Sequence, residues 1–173
     1  KEEEVILTMS QLTSVAGRLE YFKGSNDVIA AVDYAHTPDG LYNVISTIRG
    51  FCKGRIITVF GCGGDRDTTK RAKMGKIASA LSDYCVVTSD NPRSEDPEKI
   101  IEMILEGVKD SKCEYAVVTN RFEAIEYALD NAKKDDVDLL AGKGHETYQI
   151  LADRTIDFDE REIVRSLLDI QED

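Results

Sequence analysis

Residues 84–94 have the sequence YCVVTSDNPRS, an apolar run of strand length that ends in a polar cluster. Three other polar clusters also follow strand-like runs, at residues 33–39, 61–67 and 142–146. Open α/β sheets bind their ligands just outside the carboxyl ends of the strands. The sequence therefore predicts one site, built from four loops at the carboxyl edge of a sheet.

Apolar runs of strand length alternate with amphipathic segments of helical length along most of the chain. Strands are predicted over residues 27–33, 55–61, 84–89, 115–119, 137–141 and 148–151. Helices are predicted from Pro38, from Thr68, from Asp96-Pro97, and over 121–132 and 159–168. This order predicts an α/β fold: a Rossmann-like, doubly wound, mostly parallel sheet. Residues 17–22 should pair with 27–33 as an N-terminal hairpin, after a short helix within 5–14.

Composition limits the function classes. The chain has 173 residues, of which 42% are hydrophobic and 32% charged, as in a single soluble domain. The net charge of −11 argues against a nucleic-acid or anionic-membrane surface. No apolar run reaches the roughly 20 residues of a membrane span, and no signal peptide is visible. The four cysteines lack metal-site spacing, so we expect no metal site on them and a reducing, cytoplasmic location.

The cluster at 61–67, GCGGDRD, has glycines where backbone can turn sharply and approach a ligand. It leads into a helix N-terminus, which favours anions. The chain has no Walker loop and no Gly-x-Gly-x-x-Gly, so it has no phosphate cradle of its own for ATP. Arg66 is either a ligand-facing cation or a strut that pins the turn.

Asp90-Asn91-Pro92-Arg93 combines a carboxylate, an amide and a guanidinium, which can hold a zwitterion. The same residues also suit an ordinary turn before a helix cap. Residues 142–146, GKGHE, either approach a ligand through their glycines or form a loop with surface charges. The two histidines, at positions 36 and 145, lie in polar loops, and no Ser-His-Asp or Cys-His arrangement is apparent.

Taken together, these clusters resemble the C-terminal domain of the Mur ligases. The resemblance rests on residues 32–39, 61–67 with Lys70-Arg71, 88–93, 95–97, and 142–146 with Tyr148-Gln149, and it extends from about Gly17 to the end of the chain. Within the family, the clusters are similar to those of the ligases that add the third residue of the peptidoglycan stem. The resemblance implies that residues 17–173 are the C-terminal domain, and that 1–16 connect it to a preceding ATPase domain that is absent from this chain.

The family reaction, as the resemblance implies it, is ATP-dependent amide formation through an acyl phosphate. The full-length enzyme would add an amino acid to UDP-N-acetylmuramoyl-L-alanyl-D-glutamate, the substrate bound by the absent domains. ATP and Mg²⁺ would be held mainly outside this chain, the metal with the help of a carbamylated lysine. We therefore expect no catalytic residue here, and an inactive chain in isolation.

Family roles transfer to matching positions of this sequence. The Asp-Asn-Pro-Arg form of the motif is associated with meso-diaminopimelate rather than L-lysine. Arg93 would bind the distal carboxylate, and Arg66 the carboxylate beside the attacking amine. Asp90, Asn91 and Glu146 would surround the distal amine, with help from the Gly142 carbonyl, and Pro92 of the same motif would belong to the substrate site. Residues expected to approach ATP on domain closure are Arg18, Asp33 and His36.

Two alternatives remain open from the sequence. One is the same ligase acting on L-lysine, and the other is a non-catalytic, Rossmann-like module that binds an amino acid or a nucleotide. A dinucleotide-dependent oxidoreductase is disfavoured because the Gly-x-Gly-x-x-Gly spacing is missing.

Overall fold

The computed structural model describes residues 18–170. The strands in this range are β1 Glu20–Lys23, β2 Ile29–Asp33, β3 Ile56–Phe60, β4 Tyr84–Val87, β5 Glu114–Val117, β6 Val137–Ala141, β7 Tyr148–Ile150 and β8 Thr155–Asp157. The helices are α1 Pro38–Arg49, α2 Thr69–Leu81, α3 Pro97–Val108, α4 Arg121–Asn131 and α5 Glu160–Leu167. The expected segment 1–16, with its helix within 5–14, lies outside the described residues.

Six strands form one sheet in the order β1-β2-β6-β3-β4-β5. All neighbours are parallel except β1, which runs antiparallel to β2 with Glu20 opposite Val32. The predicted mostly parallel sheet and the N-terminal hairpin are therefore confirmed. The chain moves outward from β3 to β5 and then returns to insert β6 between β2 and β3. The order of strands thus reverses at β6, where doubly wound folds bind ligands.

Helices cover both faces of the sheet. The apolar sides of α1, α2 and α3 pack on one face, and those of α4 and α5 on the other. All five residues of β3 and of β6 are buried, which explains why their sequences are apolar apart from Thr58 and Asp138. No helix within residues 18–170 is long and apolar enough to cross a membrane.

Side chains cap the starts of four helices. Thr37 accepts from the Gly40 amide at the start of α1, and Asp96 accepts from Glu98 at the start of α3. Asn120 caps α4 and Asp159 caps α5 in the same way. These caps agree with the predicted helix starts, and those of α1 and α3 fix where the loops after β2 and β4 end.

The strand β7 does not join the main sheet. It pairs antiparallel with β8 in a separate two-stranded hairpin, with Gln149 opposite Ile156. β8 was not predicted, because its three residues are mostly exposed and contain no apolar run. This hairpin follows the GKGHE sequence and packs beside the carboxyl edge of the sheet.

Candidate functional site

The four polar clusters meet at one edge of the sheet. They follow β2, β6, β3 and β4, which are four neighbouring parallel strands. We name them the DYAH loop (residues 33–36), the GKGHE loop (142–146), the glycine loop (61–67) and the DNPR loop (89–95). Hydrogen bonds between these loops set the geometry of the site.

The glycine loop and the DNPR loop are joined along their length. The Gly64 amide donates to the Asn91 carbonyl at 2.8 Å, and the Arg93 guanidinium donates to the Gly64 carbonyl at 3.0 Å. The Ser94 hydroxyl donates to the Asp65 carboxylate at 2.7 Å. A Cβ at position 64 would lie 1.9 Å from a carbonyl oxygen of the facing loop, so this approach requires glycine. Asp65 and Arg93 both have left-handed backbones, with φ of 55° and 51°, held by these bonds.

Arg71 is a buried strut beneath the glycine loop. Its guanidinium donates to both carboxylate oxygens of Glu95, at 3.2 and 2.7 Å, and to the Gly63 carbonyl at 3.0 Å. The Arg71 hydrogen bonds hold the pKa of Glu95 below its ordinary value. Arg66, in contrast, is exposed, and its guanidinium donates to the neighbouring Asp65 carbonyl. The strut role that the sequence left open for Arg66 therefore belongs to Arg71.

Lys143 ties the DNPR loop to the GKGHE loop. Its ammonium nitrogen lies 3.3 Å from Asp90 Oδ1, 3.0 Å from Asn91 Oδ1 and 3.2 Å from Glu146 Oε2. Two aromatic rings lie 5.9 and 6.0 Å from the same nitrogen. Because Lys143 is 0% exposed, these acceptors rather than water balance its charge.

Both polar atoms of the Asn91 side chain form hydrogen bonds. Its Oδ1 also accepts from the Ile150 amide at 2.9 Å, and its Nδ2 donates to Glu146 at 3.3 Å. Gly142 has a φ of 118°, and a Cβ there would lie 3.0 Å from Asp90 Oδ2. A side chain at position 142 would therefore be strained and would press on the carboxylate.

A second buried arginine fixes the ends of β4 and β6. Arg121 donates to the carbonyls of Ser89 and Ala141 at 3.0 and 2.9 Å. It also pairs with Glu160 at 2.9 Å, and both side chains are 0% exposed. Burial raises the pKa of Glu160, and the Arg121 charge opposes that shift. The pair sets the spacing of the strand ends directly before the DNPR and GKGHE loops.

Residues 17–144 match the family described as Mur ligase, glutamate ligase domain. The chain belongs to the Mur ligase family. It is 54% identical over 155 residues to a UDP-N-acetylmuramoyl-L-alanyl-D-glutamate--2,6-diaminopimelate ligase of Caldanaerobacter subterraneus subsp. tengcongensis. It is 56% identical over 168 residues to ligase 1 of the same name from Clostridium acetobutylicum.

These matches cover 90% and 96% of this chain but 32% and 34% of the two relatives. The chain thus spans about a third of their length. A solved structure of a UDP-N-acetylmuramoyl-L-alanyl-D-glutamate--2,6-diaminopimelate ligase is 38% identical, with a TM-score of 0.84 over 92% of this chain and 32% of that one. The resemblance to the C-terminal domain of Mur ligases is confirmed.

In this Mur ligase domain, Asp33 anchors the start of the DYAH loop. Its two carboxylate oxygens accept from the amides of Leu19 at 2.9 Å and Ala35 at 2.8 Å. Burial raises the pKa of Asp33, and those amides and the Arg18 charge only partly offset the rise. Asp33 therefore fixes the backbone on both sides of β2, in addition to any ligand contact.

Tyr34 packs between the two histidines of the Mur ligase domain. Its ring centroid lies 4.6 Å from that of His36 and 5.0 Å from that of His145. The Tyr34 carbonyl accepts from His36 Nδ1 at 2.8 Å, and Lys70 donates to the His36 carbonyl at 2.9 Å. Burial, followed by the Glu146 charge, raises the pKa of Tyr34. This aromatic group joins the DYAH loop to the GKGHE loop.

All the residues predicted for amino-acid binding lie in three bonded loops at the carboxyl edge: Arg66, Asp90, Asn91, Pro92, Arg93, Gly142 and Glu146. The nucleotide-facing candidates, Arg18, Asp33 and His36, lie near the end of β2. The ligand roles of both sets remain predictions.

Sequence reasoning assigned no role to Lys143, Arg71 or Arg121. Arg71 and Arg121 are each the first buried residue of their helix, and further buried residues follow three, four and seven positions later. Helical periodicity was therefore a usable signal for them. Lys143 gives a weaker signal, because a lysine between two glycines after a buried strand is equally common in an exposed loop.

Proposed function

We propose that this chain is the C-terminal, amino-acid-binding domain of an ATP-dependent ligase that adds meso-diaminopimelate to UDP-N-acetylmuramoyl-L-alanyl-D-glutamate in peptidoglycan synthesis. The names of the relatives support this pair of substrates. In that enzyme, residues 17–173 form the domain and residues 1–16 lead into it from the ATPase domain. All four cysteines are free thiols, which fits a cytoplasmic enzyme.

The observation that carries the proposal is a site with two lobes of opposite charge. In the cationic lobe, Arg66 and Arg93 both lie beside Gly63, since a Cβ there would be 3.0 Å from Arg93 and 3.7 Å from Arg66, and the Asp65 carboxylate interacts with both. Two cations and one anion leave one excess positive charge. The cationic lobe therefore suits a carboxylate, which a guanidinium binds through two parallel hydrogen bonds.

The anionic lobe contains Asp90 and Glu146 around the single ammonium of Lys143. Two anions and one cation leave one excess negative charge, which suits a ligand ammonium. Asn91 joins the lobes, since its carbonyl accepts from Arg93 at 3.4 Å and its Oδ1 from Lys143 at 3.0 Å. The distal end of meso-diaminopimelate carries an ammonium and a carboxylate on one carbon, and so matches both lobes together.

The assignment of individual roles follows from this match. Arg93 binds the distal carboxylate, and Arg66 binds the carboxylate beside the attacking amine. Because Asn91 Oδ1 already accepts two hydrogen bonds, Asp90 and Glu146 are favoured as the direct acceptors of the distal amine. The Gly142 carbonyl adds a further acceptor, and Pro92 stiffens the backbone between the lobes.

L-Lysine would place its distal amine in the anionic lobe and its one carboxylate at Arg66, and it would leave Arg93 without a carboxylate. Sites built to bond a polar group reject analogues that lack it by about 10⁴-fold. Arg93 is half-buried, so water relieves part of that penalty. We expect a preference of about 100-fold for meso-diaminopimelate.

ATP, when bound, supplies the phosphoryl group that activates the carboxylate of the UDP-linked substrate. Arg18 and His36 are exposed and Asp33 is half-buried, which suits contact with a nucleotide held by another domain after rigid-body closure. Within residues 18–170 no three His, Cys, Asp or Glu side chains are placed to hold a metal ion. The role of this domain is to bind and orient the amino acid.

The test is the amino-acid selectivity of the full-length ligase that contains this chain. Arg93→Ala should lower kcat/KM for meso-diaminopimelate by about 100-fold and leave that for L-lysine within a few-fold. Arg49→Ala is the matched control, because Arg49 pairs with Asp83 near the amino ends of the strands, at 2.9 Å. Unchanged selectivity in Arg93→Ala would contradict the cationic lobe, and a wild-type preference for L-lysine would contradict the substrate.

A further inference from the structure

We propose that Lys143 is a positioning residue for substrate specificity: its buried ammonium orients the two carboxylates that receive the distal amine of the substrate. The inference rests on the proposed function and deepens it. Nothing in the sequence marks this lysine as more than a loop residue. Its place in the structure is inside the anionic lobe, with no exposed surface.

The surroundings of Lys143 form a complete ammonium cage. Three oxygen acceptors lie within 3.3 Å of Nζ, and the rings of Tyr148 and Phe158 flank it. The backbone directs the side chain inward, since Gly142 and Gly144 on either side have φ of 118° and 53°. A buried ammonium is stable only when paired in this way.

Lys143 uses only one oxygen of each carboxylate. It contacts Asp90 Oδ1 and Glu146 Oε2. Among residues 18–170, neither Asp90 Oδ2 nor Glu146 Oε1 accepts a hydrogen bond. The internal ammonium therefore fixes both carboxylates while leaving a second oxygen of each for an incoming ammonium.

Other bonds hold the loops together without Lys143. Gln149 of β7 donates to the Asp90 carbonyl at 2.7 Å, and the amides of Ile150 and Arg93 form further bonds between β7, which follows the GKGHE loop, and the DNPR loop. These bonds fix backbone and the Asn91 amide, whereas Lys143 contacts both carboxylates, of which Glu146 also accepts from Asn91 Nδ2. Loss of its charge should therefore affect recognition of the distal amine more than the fold.

The test compares two amino acids in the full-length ligase carrying Lys143→Met. One is meso-diaminopimelate, and the other is L-2-aminopimelate, which keeps the distal carboxylate but lacks the distal amine. The variant should raise KM for meso-diaminopimelate by about 30-fold with kcat within about threefold. KM, or the competitive inhibition constant, for L-2-aminopimelate should change by less than about threefold. Lys112→Met, at an exposed lysine before β5, is the matched control and should change neither.

An equal loss for both compounds, or no loss for either, would overturn the proposal, since a merely structural lysine would not distinguish them. If Lys143→Met does not fold, Lys143→Gln carries the same comparison, and failure of both to fold would reduce Lys143 to a structural residue. A wild-type enzyme that does not turn over meso-diaminopimelate would instead reject the proposed function itself. That result is obtained before any variant is made, so the two failures are distinct.

Discussion

Two buried aspartates near the start of β6 should respond to substitution with opposite sign. Asp138 is 0% exposed, and neither of its carboxylate oxygens has a hydrogen-bond partner among the described residues. Asp136, two positions earlier, accepts four hydrogen bonds from Arg55 and Lys133. An unsatisfied buried polar group costs about 1–3 kcal/mol, whereas hydrogen bonds to a charged group stabilise by about 1.5–3 kcal/mol. Asp138→Val should therefore stabilise the fold, and Asp136→Asn should destabilise it.

The magnitude follows from the position of each side chain. Asp138 lies on a central strand between Ala30 and Ile57 of the neighbouring strands, so valine there faces an apolar core. Removal of the unsatisfied carboxyl stabilises the folded state by about 1–3 kcal/mol. The larger volume of valine destabilises it by about 1 kcal/mol through packing strain. The net gain is up to about 2 kcal/mol, or up to about 6 °C in Tm for a chain of this size. Asp136→Asn should cost about 2 kcal/mol.

The pH dependence separates the two aspartates further. Burial, and then the Asp136 charge, raise the pKa of Asp138 well above its ordinary value. The wild type therefore loses stability, by about 1.4 kcal/mol per pH unit, as pH rises from about 4 toward the folded pKa of Asp138. For Asp136, burial raises the pKa, but hydrogen bonds from Arg55 and Lys133 outweigh it and the net shift is downward. Its stabilisation is present at neutral pH and is lost as pH falls below about 4.

Urea unfolding of the wild type and both variants at pH 5, 6 and 7, followed by circular dichroism, measures these effects. The advantage of Asp138→Val over the wild type should increase with pH across this range. A variant that is less stable than the wild type, or an advantage that is equal at every pH, would refute the description of Asp138 as an unpaired, buried carboxyl.

Three other perturbations test the frame of the site. Gly64→Ala should weaken meso-diaminopimelate binding by at least about 10-fold in calorimetry, because its Cβ would meet a carbonyl of the facing loop at 1.9 Å; unchanged affinity would contradict the rigid contact. Arg121→Met should lower the free energy of unfolding by about 3–5 kcal/mol by leaving Glu160 buried and unpaired, and adding Glu160→Met should restore much of that loss. Cys113 should be the first thiol that iodoacetamide alkylates, because a hydrogen bond with Cys85 lowers the pKa of Cys113 and its side chain is half-exposed. Peptide mass spectrometry measures the order of labelling, and earlier labelling of another cysteine would contradict this prediction.

The main sheet could be predicted because its central strands are covered on both faces. β3 and β6 are apolar for that reason, with a single polar residue each, and their spacing with the amphipathic helices identifies the fold class. The β7–β8 hairpin could not be predicted in full, because it is held by contacts to the DNPR loop, such as the bond from the Arg93 amide to the Ile150 carbonyl. Short elements that depend on distant partners leave no periodic pattern in the sequence.

The site was only partly predictable for a related reason. From the sequence, residues 90–93 were either a turn or a zwitterion site. In the structure they end in a tight turn, with Arg93 in a left-handed conformation, and that turn brings the guanidinium to Gly64. The two interpretations are therefore compatible. Helical periodicity marks Arg71 and Arg121 as internal charges, but nothing in the sequence distinguishes Lys143, which is buried, from Arg66, which is exposed.

The distribution of these charges argues that the amino-acid site is preformed in this domain, whereas the nucleotide contact is not. Each buried cation is balanced by an acid within the domain: Arg71 by Glu95, Arg121 by Glu160, and Lys143 by Asp90 and Glu146. The cationic lobe has one excess positive charge and the anionic lobe one excess negative charge, and hydrogen bonds of the backbone fix the loops of both. Arg18 and His36 lie exposed on the outer side of the same edge. Binding of the amino acid should therefore need no closure, and closure would serve to bring an already oriented amine to the activated carboxylate.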